Sequence, residues 1–169
     1  MASWAEFTAQ APQLEATVRG RFTAHRHLTM ATLRADGGPR ISGTEVTFVA
    51  RDRALVDGGT LPAGLYLGGM TGNRRFADLR RDPRVAVHSG SDAPDAWRGD
   101  AKVSGRAVEV AGRAAIDAFR GSAAQSPAED FELFRIEPDT ASAVRLADSG
   151  DHLVIDTWQA GGEITSVRR

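Results

Sequence analysis

"LTMATLRADGGPRISGTEVTFVA", residues 28–50, decides the fold. Two extended runs flank Asp36-Gly37-Gly38-Pro39, a turn signal between segments of period two, and the pattern predicts a β-hairpin. In the second run Ile41, Gly43, Glu45 and Thr47 share one face, and Ser42, Thr44, Val46 and Phe48 share the other. The first face is polar for a buried strand and the second is mixed. The strand therefore borders a pocket or forms a solvent-facing edge.

The same alternation continues outward toward the C-terminus. "RALVDGG", "GLYLGG", "RVAVHS" and "RGDAKVSGRAVEVA" read as strands. So do "FELFRIEP", "TASAVRLA", "HLVIDTW" and "EITSVRR", with "QAGG" turning between the last two. Residues 90–97 read as a loop, residues 112–120 as a short helix, and "GSAAQSPAED" as a polar, flexible connection. On the N-terminal side, residues 3–24 read as helix. Ser3 and Glu6 form a capping box, and Trp4, Phe7, Ala11, Leu14, Val18 and Phe22 make one apolar stripe that Pro12 divides. About nine strands against three or four short helices, with neither a Rossmann fingerprint nor a Walker motif, predict an antiparallel, barrel-like sheet with peripheral helices. No repeat or long linker interrupts the 169 residues, so one domain is expected, with residues 1–24 as its helical N-terminal segment.

Composition narrows the chemistry. The 41% hydrophobic content suits an ordinary globular core, and a chain this long buries roughly 70% of its unfolded surface without staples. The absence of cysteine excludes a disulfide framework, a zinc–thiolate site and a cysteine nucleophile. A net charge of -1 argues against a general nucleic-acid binder. The N-terminus does not read as a secretory signal, and no window offers the ~20 apolar residues of a membrane helix. A cytoplasmic location is expected.

Few residues carry a chemical signal. His25 and His27 lack a third ligand nearby in sequence. His88 is a possible proton donor in a strand. Ser104 is in no nucleophile elbow, which leaves a hydrolase triad unsupported. Asp148, Asp151 and Asp156 surround a predicted turn. The stretch "MTGNRRFADLRRDPRVAV", residues 70–87, differs. It places Arg74 and Arg75 at the start of a helix, the end whose dipole disfavours cations. An anion bound there removes the conflict. The loop "GGMTGN" offers backbone amides, Thr71 a hydroxyl and Asn73 an amide, and the two arginines add forked donors. One phosphate group matches this inventory. Ion pairs with Asp78 and Asp82 on the helix surface match it equally well.

The order of elements, and above all the pattern Asn73-Arg74-Arg75 … Leu79 … Pro83 before a strand, resembles the pyridoxamine-phosphate-oxidase-like split β-barrel flavoproteins, which include the deazaflavin (F420) reductases. The resemblance spans roughly residues 20–169. It implies a mainly β, α+β split barrel that binds FMN or F420, with the phosphate on Arg74 and Arg75. It also implies a homodimer with the cofactor at the subunit interface and hydride transfer on a small molecule. Trp158 and Arg168 match a Trp and an Arg ten residues on that lie close to the flavin ring, and Lys102 matches a basic position of the family. Ser42 and Thr44 stand where the oxidase has basic residues in its early flavin strand, and Ile164 stands where it has a substrate-gripping arginine. Oxidation of pyridoxamine phosphate itself is therefore not expected. The alternatives are a haem-binding or haem-degrading split barrel, in which His88 or His25 serves as axial ligand, and a cofactor-binding module without turnover.

Overall fold

The hairpin forms as read. In a computed structural model that describes residues 1–121 and 131–169, β1 (Leu28–Leu33) pairs antiparallel with β2 (Pro39–Thr44), from Leu28 opposite Thr44 to Leu33 opposite Pro39. Ahead of it lie α1 (Trp4–Gln10) and α2 (Pro12–Ala24), which Pro12 separates. The capping box is present, with Glu6 N donating to Ser3 Oγ at 3.1 Å and Ser3 N donating to Glu6 Oε2 at 2.6 Å. Beyond the hairpin come β3 (Val46–Val49), β4 (Arg53–Ala54), β5 (Thr60–Leu61) and β6 (Gly64–Met70). Then follow α3 (Arg74–Arg81), β7 (Arg84–His88), β8 (Asp100–Glu109), α4 (Arg113–Arg120), β9 (Phe131–Leu146), β10 (Leu153–Gln159) and β11 (Glu163–Arg168).

Two sequence expectations are corrected. "RALVDGG" supplies only the two residues of β4, because Leu55 N donates to Gly59 O, Gly58 N donates to Leu55 O, and Asp57 Oδ1 accepts from Gly59 N. These bonds close a turn and spend the backbone groups that a longer strand needs. Conversely, "FELFRIEP" and "TASAVRLA" are one strand, the 16-residue β9. Pro138 sits opposite Gly105, where the β8–β9 ladder shifts register. Its missing N–H falls at an irregularity, and its carbonyl accepts from Ala2 N at 3.3 Å. The flexible connection expected near residues 121–130 falls almost wholly outside the described residues.

The main sheet runs β11-β10-β9-β8-β7-β1-β2, while β3 pairs with β6 and β6 with β9. One edge of β9 therefore serves β8 along its length, and the other serves first β6 and then β10. β2 and β3 are two halves of one strand broken at Glu45. The first half pairs with β1 and the second with β6. The barrel wall parts where these partners diverge. Its inner face carries a register row of Met30, Val87, Val103, Ala141 and Trp158, all buried. α1 and α2 close this face with Phe7, Val18 and Phe22. A smaller cluster of Tyr66, Phe119 and Leu133 lies beneath α4.

α3 is held by a buried acid. Asp78, 3% exposed, accepts from Thr32 Oγ1 at 3.0 Å, Arg40 Nε at 2.5 Å and Arg81 Nη2 at 3.2 Å. Burial pushes its carboxyl up, the three donors pull it down, and the donors win. Its folded pKa thus lies below its unfolded one. The stabilisation is complete above the unfolded value and is lost as pH falls through the folded one. Asp78→Asn is expected to lose about 3 kcal/mol at pH 7. The difference from wild type should close as pH drops below about 4 in urea melts at stepped pH. A second prediction concerns the β8 irregularity. A Cβ on Gly105 would lie 2.1 Å from Glu137 O, a backbone atom that cannot swing aside. Gly105→Ala should cost about 2–3 kcal/mol in the same assay.

Candidate functional site

The site begins where β6 becomes α3. Thr71 and Gly72 make the turn, with Gly72 at φ +76°. Asn73 is the N-cap, its Oδ1 accepting from Arg75 N at 3.3 Å. Thr71 is exposed.

Arg75 turns into the split of the barrel. Nη1 donates to Gly43 O of β2 at 2.5 Å, and Nη2 lies 3.5 Å from Gly68 O of β6. The guanidinium therefore spans the two strands that no longer pair with each other. It lies over the Phe76 ring at 5.0 Å, and its Nε is buried without a partner. Among the described residues no carboxylate contacts it, and burial pushes its pKa below the usual arginine range. Gly68 and Gly69, expected to offer amides, are paired in β6 opposite Leu133 and Glu132. They make room instead. A Cβ on Gly69 would come within 3.1 Å of Arg75 Nη2, and one on Gly68 within 2.1 Å of the Phe131 ring.

Arg74 points elsewhere. It is exposed, has no ion pair or hydrogen bond with any described residue, and lines a cleft of about 410 Å³ between α3 and the β1–β2 turn. Arg34, Asp36, Arg40, Asp78 and Arg81 share that cleft. The ion pairs open to the two arginines in the sequence do not form. Asp78 is held by Arg40 and Arg81, and Asp82 by Arg84. Sequence reasoning missed Arg34, Arg40 and Arg81. Strand parity offered a signal for Arg40, which shares the inward side of β2 with Ser42 and Thr44.

The remaining candidates do not converge on this point. Ser42 and Thr44 lie opposite Met30 and Leu28 on the inward face, and the buried Thr44 Oγ1 donates to Glu45 O at 3.2 Å. Lys102 lies on the opposite face, exposed between His88 and Ser142. Trp158 is corrected from a ring-covering residue to a core residue. It is 0% exposed, packs on Phe7 at 4.6 Å and donates Nε1–H to Gln10 Oε1 at 2.9 Å. This side chain leaves no face for a flat ligand. Arg168 is exposed on the edge strand β11, opposite Val154.

The histidines separate clearly. His25 Nε2 contacts Asp92 Oδ1 at 2.8 Å, a carboxylate that Arg21 also holds at 3.0 Å. His27 reaches Glu45 at 3.5 Å, so His25 and His27 do not form a joint ligand pair. His88 Nδ1 lies 2.8 Å from Ser89 O. A carbonyl only accepts, so Nδ1 carries a proton, and in the neutral tautomer of that ring Nε2 is the nitrogen with the lone pair.

Around α3 the chain thus presents cations on two flanks: Arg74, without an ion pair among the described residues, beside the hairpin turn, and the half-buried Arg75, without a carboxylate against it among the described residues, in the barrel split. A guanidinium so placed fits the phosphate of a flavin-type cofactor.

Comparison with known proteins bears on the same elements. Solved structures share the fold. An FMN-binding, pyridoxamine 5'-phosphate oxidase-related protein of Nostoc punctiforme aligns at TM-score 0.60 with 12% identity, over 91% of this chain and 93% of that one. A pyridoxamine 5'-phosphate oxidase-like protein of Listeria innocua aligns at 0.55 with 18% identity, over 78% and 98%. The haem storage protein HutZ of Vibrio cholerae aligns at 0.53 with 19% identity, over 74% and 89%. No curated protein sequence matches. The family described as pyridoxamine 5'-phosphate oxidase matches residues 14–145, from α2 to the end of β9, and the chain belongs to that family.

Proposed function

We propose that the protein is a homodimeric, cytoplasmic oxidoreductase that holds FMN or F420 by its anionic tail at the start of α3. The observation that carries this reading is the charge of Arg75. A half-buried guanidinium with no carboxylate beside it among the described residues is a cation awaiting an anion. Arg74, Asn73 and Thr71 stand at the same turn to complete the grip. A flavin-type ring, when bound, supplies hydride transfer to a small-molecule substrate. The chain's own residues hold it, orient it and exclude water. Lys102 lies on the outer sheet face, away from this grip. Arg168 stands on the edge strand β11, whose six side chains are all exposed and along which a second copy can lie. Ile164, 52% exposed, offers no grip for a substrate phosphate, and the substrate is accordingly not pyridoxamine phosphate.

Arg74→Ala provides the test, because Arg74 makes no hydrogen bond or ion pair with the described residues. Fluorescence titration of wild type with FMN and F420 should show micromolar or tighter binding of at least one. The variant should bind it about tenfold more weakly, the scale of one charge-assisted hydrogen bond, with unchanged melting temperature. No binding, or equal binding by the variant, overturns the reading.

A second reading, haem binding through His88, is favoured by the bare Nε2 of that residue; His25 is already engaged by Asp92. Haem titration should then give a Soret shift that His88→Ala abolishes and His25→Ala retains.

A further inference from the structure

We infer that β11 is the pairing edge for a second copy of this chain, with the two β11 strands antiparallel about a two-fold axis at Ser166. The inference rests on the homodimer of the reading above, to which it gives an edge and a register, and it needs no cofactor.

The backbone decides which groups are on offer. Leu153 N donates to Arg169 O at 2.7 Å and Arg169 N donates to Leu153 O at 2.9 Å, so these two residues form a hydrogen-bonded pair of the β10–β11 ladder. In an antiparallel ladder such pairs alternate with pairs that exchange no bonds. Glu163, Thr165 and Val167 therefore spend their N–H and C=O groups on β10. Ile164, Ser166 and Arg168 point theirs the other way, to an edge that no described strand covers.

The two ends of the sheet differ. β2, at the opposite end, starts with Pro39, and Arg75 takes its Gly43 carbonyl. β11 has no proline, no lysine and no register shift against β10. Its middle, Ile164-Thr165-Ser166-Val167, is β-branched but for the serine and exposed throughout. Proline, lysine and bulges are the devices by which natural edges stay single, and this run carries none of them.

Symmetry selects the register. In a two-fold pair only outward-pointing residues exchange hydrogen bonds, and both strands offer the same three. One register uses them all: Ser166 opposite the partner's Ser166, and Ile164 opposite the partner's Arg168, made twice. The side chains agree with it. Glu163 comes opposite the partner's Arg169 at both ends, and Thr165 comes opposite the partner's Val167, so opposite charges and β-branched residues meet. The neighbouring registers are worse. One sets Gly162, in the turn at φ +91°, against the partner's Arg168, and the other carries Ile164 past the end of the opposing strand. Six residues a side make a small contact, so the association is concentration-dependent.

The chain has no cysteine, which makes Ser166→Cys a specific probe. Its two copies would face each other at a Cα separation of about 5.5 Å, within disulfide reach. Mild oxidation should cross-link it, whereas Val56→Cys, on the exposed turn between β4 and β5, should stay uncross-linked. Ser166→Pro removes an N–H that faces the partner and no bond to β10, so the melting temperature should hold while pairing is lost. In sedimentation equilibrium from micromolar to submillimolar concentration, its assembly should have half the wild-type mass. Glu163→Arg should weaken association about tenfold, and adding Arg169→Glu should restore it. That charge exchange decides the matter should Ser166→Pro fail to fold. Equal mass of Ser166→Pro and wild type overturns this edge and leaves the homodimer, and a wild type that stays monomeric overturns both. FMN and F420 titrations of the same samples keep the readings apart. Cofactor binding without β11 pairing overturns the edge alone, and pairing without cofactor binding overturns the cofactor reading alone.

Discussion

The architecture depends on a guanidinium in a gap. β2 and β3 are one strand that changes partner at Glu45, so β2 and β6 lie apart there. Arg75 joins them by donating to Gly43 O and approaching Gly68 O. A neutral side chain could satisfy the carbonyls too. An arginine does so while carrying a charge into a half-buried place, where it has no carboxylate among the described residues. In the proposed function the residue that braces the split is also the one that calls for an anion.

The adjacent cluster follows a different logic. Asp78 is a buried acid with three donors, and Arg40 and Arg81 both spend charge on it. Its place is structural, tying α3 to β1 and β2. Yet it also fixes the orientation of two guanidiniums whose outer edges stay free. The arrangement separates roles along one helix. Residue 75 serves the split, residues 78 and 81 serve the docking, and residue 74 bonds to no other described residue.

Much of this was legible in sequence. Period-two alternation with Asp36-Gly37-Gly38-Pro39 gave the hairpin, and Pro12 gave the helix break, because both are local signals with a steric cause. Asn73 as cap was equally local. The failures were non-local. Pro138 looked like a strand end, and only the opposing irregularity at Gly105 shows why the strand runs through it. Trp158 matched a family position, but sequence spacing does not reveal parity, and parity puts its indole beside Val103 and Ala141 in the core. Adjacent arginines in a helix point about 100° apart, so Arg74 and Arg75 serve different surroundings despite being neighbours in the chain. Arg34 and Arg81 carry no motif at all. Their relation exists only once the hairpin turn lies over α3.

The glycines of β6 show how far a local reading can mislead about cause. Gly68 and Gly69 looked like a phosphate loop, the usual meaning of such residues before a helix. Their amides belong to a strand paired with β9. What they supply is missing volume: Phe131 lies against one and Arg75 and Phe76 against the other. Without that space Arg75 could not reach Gly68 O, and the split would lose its brace. A larger residue at position 69 would therefore act on any anion only through Arg75. At the proposed site glycine acts by permitting the cation to be where it is, and that dependence cannot be seen by matching a loop to a ligand.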